Sequence, residues 1–334
     1  MIDFLLPAGL FEIVAPILLG LLMDLLYPYH RGLLLKVHPV HTAYTMARFL
    51  SPPGSSRARG VVTWLVVMIV HCTVYGSLLY IARMLGEIFW ILVSAYIVKL
   101  SVSVRLLVDI VRGVARCLEA GDIACAREKT SWIVRRDTSR LGEGHLASAS
   151  IESLFESTVD GIASPLLYTA LLGPMGGLIQ RLINTLDGAL GFKTPEYIKA
   201  GWLSAKADTI INYIPARLVA IMIIILAPIA GGSIGRALKI YIEYRRKTES
   251  VNAGHPMAAA AGSLGIRLEK VGSYVLGEGP LPGYRDIYRA LGLFAAVLIL
   301  VYIVTLVIAI YANYLVFHQG LFSRWILVFF MPER

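Results

Sequence analysis

The stretch ESLFESTVDGIASP (152–165) carries three carboxylates at four-residue spacing, on Glu152, Glu156 and Asp160. In a helix, this spacing places all three side chains on one face, where each like-charged pair repels by about 0.2–0.5 kcal/mol. A cation would relieve this repulsion, and Mg²⁺ binds oxygen ligands, commonly one or two carboxylates together with substrate phosphates. The pattern therefore predicts a metal or nucleotide site. The alternative is a solvated helix face whose charges pair with neighbouring arginine or lysine side chains.

The segments that follow supply the other groups that phosphate chemistry requires. They contain carboxylates, carboxamides and cations at helical spacings: Asn184, Asp187, Lys193, Lys206, Asp208, Asn212 and Arg217. The whole chain has only four Asn and two Gln residues. Where amides are so rare, those that remain in polar patches, including Asn252, are candidates for function. This inventory fits Mg²⁺-phosphate chemistry, although the GxxxxGK[ST] motif of a Walker-type loop is absent from the sequence.

The composition indicates a membrane protein. Hydrophobic residues make up 57% of the 334 residues and charged residues 16%, against about 25% in soluble proteins. The mean hydropathy is +0.69. The runs Val61–Ala82 and Leu291–Phe317 are both long enough to cross a bilayer, which takes about 20 apolar residues. The net charge of +9 fits a membrane protein with basic cytoplasmic loops, and no nucleic-acid-binding motif or partner is expected.

The sequence predicts an all-α integral membrane protein with about four spanning helices, at 4–26, 61–82, 86–100 and 291–317. Two further apolar segments, 161–180 and 218–235, are interrupted by Gly and Pro and are predicted to be re-entrant or buried. With these spans, residues 27–60 and 101–290 lie on one side and hold 27 of the 31 Lys and Arg residues. The positive-inside rule places that side in the cytoplasm.

Three units follow from this topology. Residues 1–100 form N-terminal membrane helices with a cytoplasmic loop at 27–60, residues 101–290 a cytoplasmic-facing helical region, and residues 291–334 a membrane helix and tail. No Lys or Arg precedes Arg31, so the first apolar segment is predicted to be a retained helix rather than a cleaved signal. The three cysteines form neither a CxxC pair nor a Cys/His cluster and are predicted to be reduced.

Several ordered motifs resemble those of one known family. They are DLLYPYHRGLLLKVHPV (24–40), RRDTSRL (135–141), ESLFESTVDGIASPLLY (152–168), RLINTLDGALGFK (181–193), GWLSAKADTIINYIPARL (201–218) and NAGHPMAAAAGSLGIRL (252–268). Together they resemble the adenosylcobinamide-phosphate synthase family of cobalamin biosynthesis, an integral membrane family, over roughly residues 20–290. The first of these motifs resembles the family's N-terminal signature, and the other five match family motifs in order, which is far more specific than any one of them.

The resemblance implies an ATP-dependent ligation. A carboxylate of adenosylcobyric acid, a corrinoid, would be joined to the amine of aminopropanol phosphate or ethanolamine phosphate, giving adenosylcobinamide phosphate. ATP and Mg²⁺ would activate the carboxylate, as an acyl phosphate or an adenylate. The implied catalytic residues are Glu152, Glu156, Asp160 and Asp187, of which the first three would hold Mg²⁺. The implied substrate- and phosphate-binding residues are Arg136, Asn184, Lys193, Lys206, Asp208, Asn212, Arg217 and Asn252.

The expected location is the cell membrane, with several spans in the lipid bilayer and the active site facing the cytoplasm. Neither the oligomeric state nor the choice of amine follows from the sequence. The alternative is a non-catalytic membrane sensor or transporter of a related family. A transporter should carry polar residues inside its spanning helices, whereas 291–317 contains only tyrosines, one Thr and Asn313 as polar residues.

Overall fold

The computed structural model describes residues 3–319 of the chain. Within this range the α-helices are α1 (Leu10–Leu26), α2 (Gly32–Lys36), α3 (Pro39–Leu50), α4 (Arg57–Leu85), α5 (Glu87–Ser101), α6 (Arg105–Glu119), α7 (Ile123–Ser131), α8 (Glu143–Thr158), α9 (Ser164–Leu190), α10 (Trp202–Ile211), α11 (Tyr213–Ile225), α12 (Ile234–Tyr244), α13 (Gly254–Leu264) and α14 (Tyr284–Gln319). The predicted all-α class is confirmed.

Shorter elements connect these helices. Two 3₁₀ turns lie at Asp3–Leu5 and Ala227–Ala230, and a π-helical turn at Val159–Ala163 joins α8 to α9. Strands β1 (Leu268–Lys270) and β2 (Tyr274–Leu276) form an antiparallel hairpin. The π turn and the hairpin matter for function because both contribute residues to the site described below.

Four helical stretches among the described residues are long and apolar enough to cross a membrane: Arg57–Leu85, Glu87–Glu119, Glu143–Leu190 and Tyr284–Asn313. Their number is the predicted one, and three of them contain or largely overlap predicted spans. The fourth differs. The predicted segment 4–26 contains α1, which has only 17 residues, whereas the predicted broken segment 161–180 lies inside a long, largely buried helical stretch.

Glycine and proline interrupt both predicted broken segments, but in different ways. In α9, Gly173 has φ +72°, and a Cβ atom there would lie 2.7 Å from the carbonyl oxygen of Leu5. Glycine is therefore required at this kink. In the second segment, α11 ends at Ile225, and a 3₁₀ turn at Ala227–Ala230 followed by Gly231, which has φ +72°, separates it from α12. Just before this segment, α10 and α11 meet at Asn212 at a bend of 44° and form a fifth candidate span if they are counted together. The bend places the end of α10 beside the middle of α9.

Charged residues inside the first apolar segment have specific partners. Glu12 is buried and forms an ion pair with Arg83 at the end of α4. Asp24 is also buried and accepts hydrogen bonds from the backbone amides of Val104 and Arg105, at 3.1 and 2.9 Å. Asp24 therefore satisfies orphan amides at the N-terminus of α6, where a negative charge is favoured. These partners explain how a charged segment can pack in an apolar bundle.

Helix α8 is the central element of the core. Its side chains Leu146, Ile151, Leu154 and Phe155 are fully buried. Helix α13 is buried along its entire length, and its run of alanines allows close packing against α11 and α12. Because α8 and α13 are both enclosed by other helices, polar groups on them must face either a partner or an internal cavity.

The cysteine prediction is wrong at two of the three positions. Cys117 and Cys125 form a disulfide, with their Cα atoms 5.7 Å apart, and Cys72 is free. A tight turn at Gly121, which has φ +72°, reverses the chain between α6 and α7 and brings the two thiols together. The domain boundaries remain predictions, and residues 320–334 of the predicted C-terminal unit lie outside the described residues.

Candidate active site

A cavity of about 620 Å³ lies between α6, α8, α9, α10, the segment before α13 and the β-hairpin. Five carboxylates and four cations line it, and these are Glu152, Glu156, Asp160, Asp187, Asp208, Arg135, Arg136, Arg181 and Lys270. Such a concave site with convergent charged groups is the first place to expect substrate binding. Its side chains come from segments more than 100 residues apart in the sequence.

The acidic row reaches this cavity from one continuous helical stretch. Glu152 and Glu156 lie one turn apart on α8, and Asp160 lies in the π-helical turn that follows. Single π turns inside helices occur often at functional sites. The structure thus brings together the three carboxylates whose spacing drew attention in the sequence, and all three line the cavity.

Glu152 is held by a complete set of hydrogen bonds. Its carboxylate accepts from Arg136 Nη2 at 3.2 Å to both oxygens, from Ser148 Oγ at 2.6 Å and from the Tyr274 hydroxyl at 2.7 Å. Ser148 Oγ in turn accepts from the backbone amide of Glu269 in β1. Glu152 therefore joins α8 to the hairpin and to the segment after α7, and its oxygens are already occupied by protein donors.

The Tyr274 hydroxyl remains a hydrogen-bond donor at every physiological pH. Burial raises the pKa of Tyr274 well above its ordinary value, and the negative charge of Glu152 raises it further. Deprotonation would place two negative charges within 3 Å of each other in a buried site. Tyr274 is thus a permanent partner of Glu152.

Asp208 is held by carboxamides. It accepts from Asn184 Nδ2 at 3.1 Å and from Asn212 Nδ2 at 2.9 Å, and Asn212 Oδ1 accepts from Gln180 Nε2 at 3.0 Å. Asn212 is fully buried behind Asp208 rather than on the cavity wall. Three of the chain's six amide side chains thus form one network that fixes a carboxylate between α9 and α10.

The remaining carboxylates have different surroundings. Asp160 lies within electrostatic range of Glu156, Asp187 and Asp208, and all of these charges repel one another. Arg135 is close enough to attract Glu156, Asp187 and Asp208. Within residues 3–319, no three His, Cys, Asp or Glu side chains lie close enough together to enclose a metal ion by themselves. A cation here would need ligands from a substrate as well.

Besides Asn212, three further predicted substrate- and phosphate-binding residues do not line the cavity, although the sequence predicts them at the site. Lys193 follows the end of α9, is 72% exposed and pairs with Glu249 at 3.5 Å. Lys206 is exposed because it lies two residues before Asp208 on α10, and a two-residue step turns a side chain to the other side of a helix. Arg217 lies over the ring of Tyr213.

Arg217 contacts the site through another residue. Its Nη1 atom donates to Asn252 Oδ1 at 3.2 Å, and Asn252 Nδ2 donates to the backbone oxygen of Thr209 at 2.9 Å. Asn252 lines the cavity, whereas Arg217 does not. Arg217 therefore positions the segment that precedes α13 against the end of α10.

Sequence reasoning missed four cavity residues: Arg135, which precedes the predicted Arg136, and Arg181, Lys270 and Tyr274. Arg181 begins the RLINTLDGALGFK motif, so its place in that motif was a usable signal. Lys270 and Tyr274 lie in the hairpin, more than 110 residues after Glu156, and no local pattern connects them to the acidic row. Only the packing of β1 against α8 brings these elements together.

The surroundings of His255 predict how the stability of the folded protein changes with pH. Its Nδ1 atom lies 2.8 Å from the Tyr241 hydroxyl, and burial lowers the pKa of His255 to about 4, with further lowering by Arg217, Arg245 and Arg246. The folded protein therefore prefers neutral His255, whereas the unfolded chain takes up a proton near pH 6.5. The stability that the folded protein gains from keeping His255 neutral is fully present above pH 6.5 and is lost as the pH falls towards 4.

The melting temperature of the wild type should accordingly fall by a few degrees more between pH 7 and pH 4.5 than that of His255→Asn, since about 1 kcal/mol corresponds to 2–4 °C. Asn keeps an acceptor near Tyr241 but cannot be protonated. Thermal unfolding in detergent at several pH values measures the difference. If the melting temperatures of the two proteins fall equally with pH, His255 is not the cause of the pH dependence.

Comparison with known proteins places these features in a family. The profile of the family described as CobD/Cbib protein matches residues 17–294, a range that includes every cavity residue named above. No solved structure matches the chain.

Curated relatives agree with this match. A probable cobalamin biosynthesis protein CobD of Aeropyrum pernix is 50% identical over 279 residues, which cover 83% of this chain and 87% of the relative. Another, of Methanothermobacter thermautotrophicus, is 34% identical over 268 residues, 79% of this chain and 87% of the relative. The cobalamin biosynthesis protein CobD of Pelobacter propionicus is 46% identical over 161 residues, 48% of this chain and 50% of the relative.

Proposed function

Because this chain belongs to the CobD/Cbib family of cobalamin biosynthesis proteins, we propose that it is an ATP-dependent carbon–nitrogen ligase that makes adenosylcobinamide phosphate. The substrates would be adenosylcobyric acid, ATP and an amino-alcohol phosphate, either aminopropanol phosphate or ethanolamine phosphate. The observation that carries the proposal is one cavity in which Asp160, Glu156 and Asp187 face the cations Arg135 and Lys270. This combination suits substrates that bear phosphates and a metal ion.

The oxygen-rich wall fits Mg²⁺. Hard carboxylate oxygens are the ligands that Mg²⁺ prefers, and it commonly binds one or two of them while substrate phosphates and water fill its other positions. Glu156 and Asp160 are the proposed ligands, since the oxygens of Glu152 are already occupied by Arg136, Ser148 and Tyr274. When bound, the ion would neutralise phosphate charge and polarise the transferred group.

The cations of the site would bind and orient the nucleotide. Arg135 lies among the acidic side chains and makes no ion pair in the described part of the chain, although its guanidinium lies 5.2 Å from the centre of the Phe192 ring. Lys270 approaches Glu156 from the hairpin. A phosphate bound between them would receive charge-assisted hydrogen bonds from both.

Amide formation needs a group that accepts a proton. After ATP has activated the corrinoid carboxylate, the amine nitrogen attacks the carbonyl carbon, the new C–N bond forms and the bond to the phosphate-bearing oxygen breaks. The attacking amine must lose a proton, and Asp187 is the proposed acceptor because it lines the cavity beside Arg135 and Asp208. The Asn184–Asp208–Asn212 network would keep the opposite wall in place during this step.

Incubation of the purified protein with adenosylcobyric acid, ATP, Mg²⁺ and each amine, followed by mass analysis, tests the proposal. A product with the mass of adenosylcobinamide phosphate is expected, and it should be absent when ATP or Mg²⁺ is omitted. No product with either amine, from a protein with an intact thermal unfolding transition, would contradict the proposal and favour the non-catalytic sensor or transporter.

We also propose that the protein spans the cell membrane several times and that the cavity opens to the cytoplasm. The support is that the predicted spans leave 27 of the 31 Lys and Arg residues on one side, and that the stretch Glu143–Leu190 is largely buried inside the protein rather than exposed like the other candidate spans Arg57–Leu85 and Tyr284–Asn313. Single cysteines at the exposed residues Lys193 and Lys247, made in a Cys72→Ala background, should react in intact cells only with membrane-permeant maleimides. A cysteine at Glu87, the exposed first residue of α5, is the matched control and should react with impermeant reagents. Labelling of Lys193→Cys from outside the cell would contradict this orientation.

A further inference from the structure

Arg181 has an unusual environment for a buried cation. It lies on α9 and lines the cavity. Its Nε atom is buried and has no hydrogen-bond partner in the described part of the chain. None of the ion pairs among residues 3–319 includes Arg181. Within residues 3–319, the guanidinium therefore faces an internal cavity without an ion-pair partner and with its Nε donor unpaired.

The nearest negative charges do not account for Arg181. Asp24 attracts it, but the Oδ2 atom of Asp24 accepts from the backbone amides of Val104 and Arg105. Asp160 also attracts it without approaching within ion-pair distance. Arg136 is the internal comparison: it lines the same cavity, and both oxygens of Glu152 accept from it. Arg136 is thus paired with a protein carboxylate, whereas Arg181 has no such partner within the described residues.

The buried guanidinium of Arg181 needs hydrogen-bond acceptors that a ligand could supply. Burying a charged donor without a partner is costly, and the cost is recovered when a ligand supplies the missing acceptors. The planar fork of a guanidinium matches two oxygens of one carboxylate or phosphate. Small neutral ligands and cations do not offer such a pair of negative oxygens.

We infer that Arg181 is a substrate-binding residue that holds an anionic group, a carboxylate or a phosphate, through two parallel hydrogen bonds. The inference rests on the proposed function only for the identity of the anion, which is either the corrinoid carboxylate or a phosphate of ATP or of the amine substrate. Arg135 lies among Glu156, Asp187 and Asp208, whereas Arg181 is attracted by Asp160 and Asp24. The two unpaired arginines therefore mark two different anion positions in one cavity.

Direct binding to the full-length protein in detergent tests this assignment. Dissociation constants would be measured separately for adenosylcobyric acid, for ATP with Mg²⁺ and for ethanolamine phosphate, using the wild type, Arg181→Gln and Arg181→Lys. Arg181→Gln should weaken one ligand about tenfold or more and leave the other two within about twofold. Arg181→Lys keeps the charge but loses the fork, so it should weaken the same ligand by a smaller factor. The ligand that is weakened identifies the anion.

The matched control is Arg112→Gln, an exposed arginine on α6 outside the cavity, which should bind all three ligands like the wild type. If Arg181→Gln does not fold, the test uses Arg181→Lys alone. Wild-type affinity of Arg181→Lys for every ligand would then overturn the inference. Equal affinities of wild type and Arg181→Gln for all three ligands also overturn it and leave the proposed function intact. Conversely, a wild type that binds the ligands but forms no product overturns the proposed ligation and leaves the binding role of Arg181 in place.

Discussion

Replacing Asp160 by Asn should slow the formation of adenosylcobinamide phosphate about 100-fold or more. Asp160 lies in the π turn at the end of α8, faces the cavity and is surrounded by Glu156, Asp187 and Asp208. Asn keeps the shape of the side chain but removes the charge that a metal ion would need. Changes to groups that only support metal ligands typically cost 10–100-fold, so loss of a direct ligand should cost at least as much.

The effect should depend on Mg²⁺. Initial rates across a Mg²⁺ titration should show that Asp160→Asn requires more metal, and Glu156→Gln should behave in the same way. Asp122→Asn is the matched control, because Asp122 is exposed at the N-terminus of α7 and Asn also caps helices. Wild-type rates for Asp160→Asn and Glu156→Gln at every Mg²⁺ concentration would assign the acidic row to structure and leave Asp187 and Asp208 as the remaining candidates.

Replacing Arg136 by Met should destabilise the folded protein by about 3–5 kcal/mol, the cost of breaking a buried ion pair by removing one partner. The two side chains are only 17% and 6% exposed, so solvent cannot take over the role of the guanidinium. Glu152 would keep Ser148 and Tyr274 as donors but would lose the neutralising charge. Equilibrium unfolding in mixed micelles measures the loss.

Tyr274→Phe provides the graded comparison for Arg136→Met. It removes one hydrogen bond to a charged group and should cost about 1–3 kcal/mol. A double replacement, Arg136→Met with Glu152→Gln, should recover part of the stability because it removes the buried charge as well. If Arg136→Met unfolds at the same denaturant concentration as the wild type, the Glu152 network does not hold α8 to its neighbours.

Local patterns in the sequence were sufficient to predict the membrane class of the protein and the shared direction of the three carboxylates on α8 and the π turn. Helical spacing alone put Glu152, Glu156 and Asp160 on one side, and the structure places all three in one cavity. Scarcity of amides pointed to Asn184, Asn212 and Asn252, which now form hydrogen bonds around the site. These signals are local because helix geometry fixes the relative directions of residues that are close in sequence.

The other side chains of the site are positioned by long-range packing, which local sequence patterns do not show. Whether Lys206 or Arg181 faces the cavity depends on the rotation of α10 and α9 about their axes, which charge and spacing did not reveal. The hairpin that contributes Lys270 and Tyr274 is held against α8 by the contact of Ser148 with the backbone of Glu269, and no pattern in the sequence connects these residues. The Gly and Pro residues of segment 161–180 predict an interruption, but a kink within a long helix, as found at Gly173, and a re-entrant loop share the same sequence signal.

The central claim is that ligation takes place in the cavity beside α8, and blocking that cavity tests it most directly. Ser157 lines the cavity, so Ser157→Cys in a Cys72→Ala background offers a thiol there, and Ser139→Cys offers one on the exposed surface. Reaction with a bulky maleimide should abolish ligation in Ser157→Cys alone, and prior addition of ATP, Mg²⁺ and adenosylcobyric acid should protect it. Full ligation by completely labelled Ser157→Cys would contradict the claim.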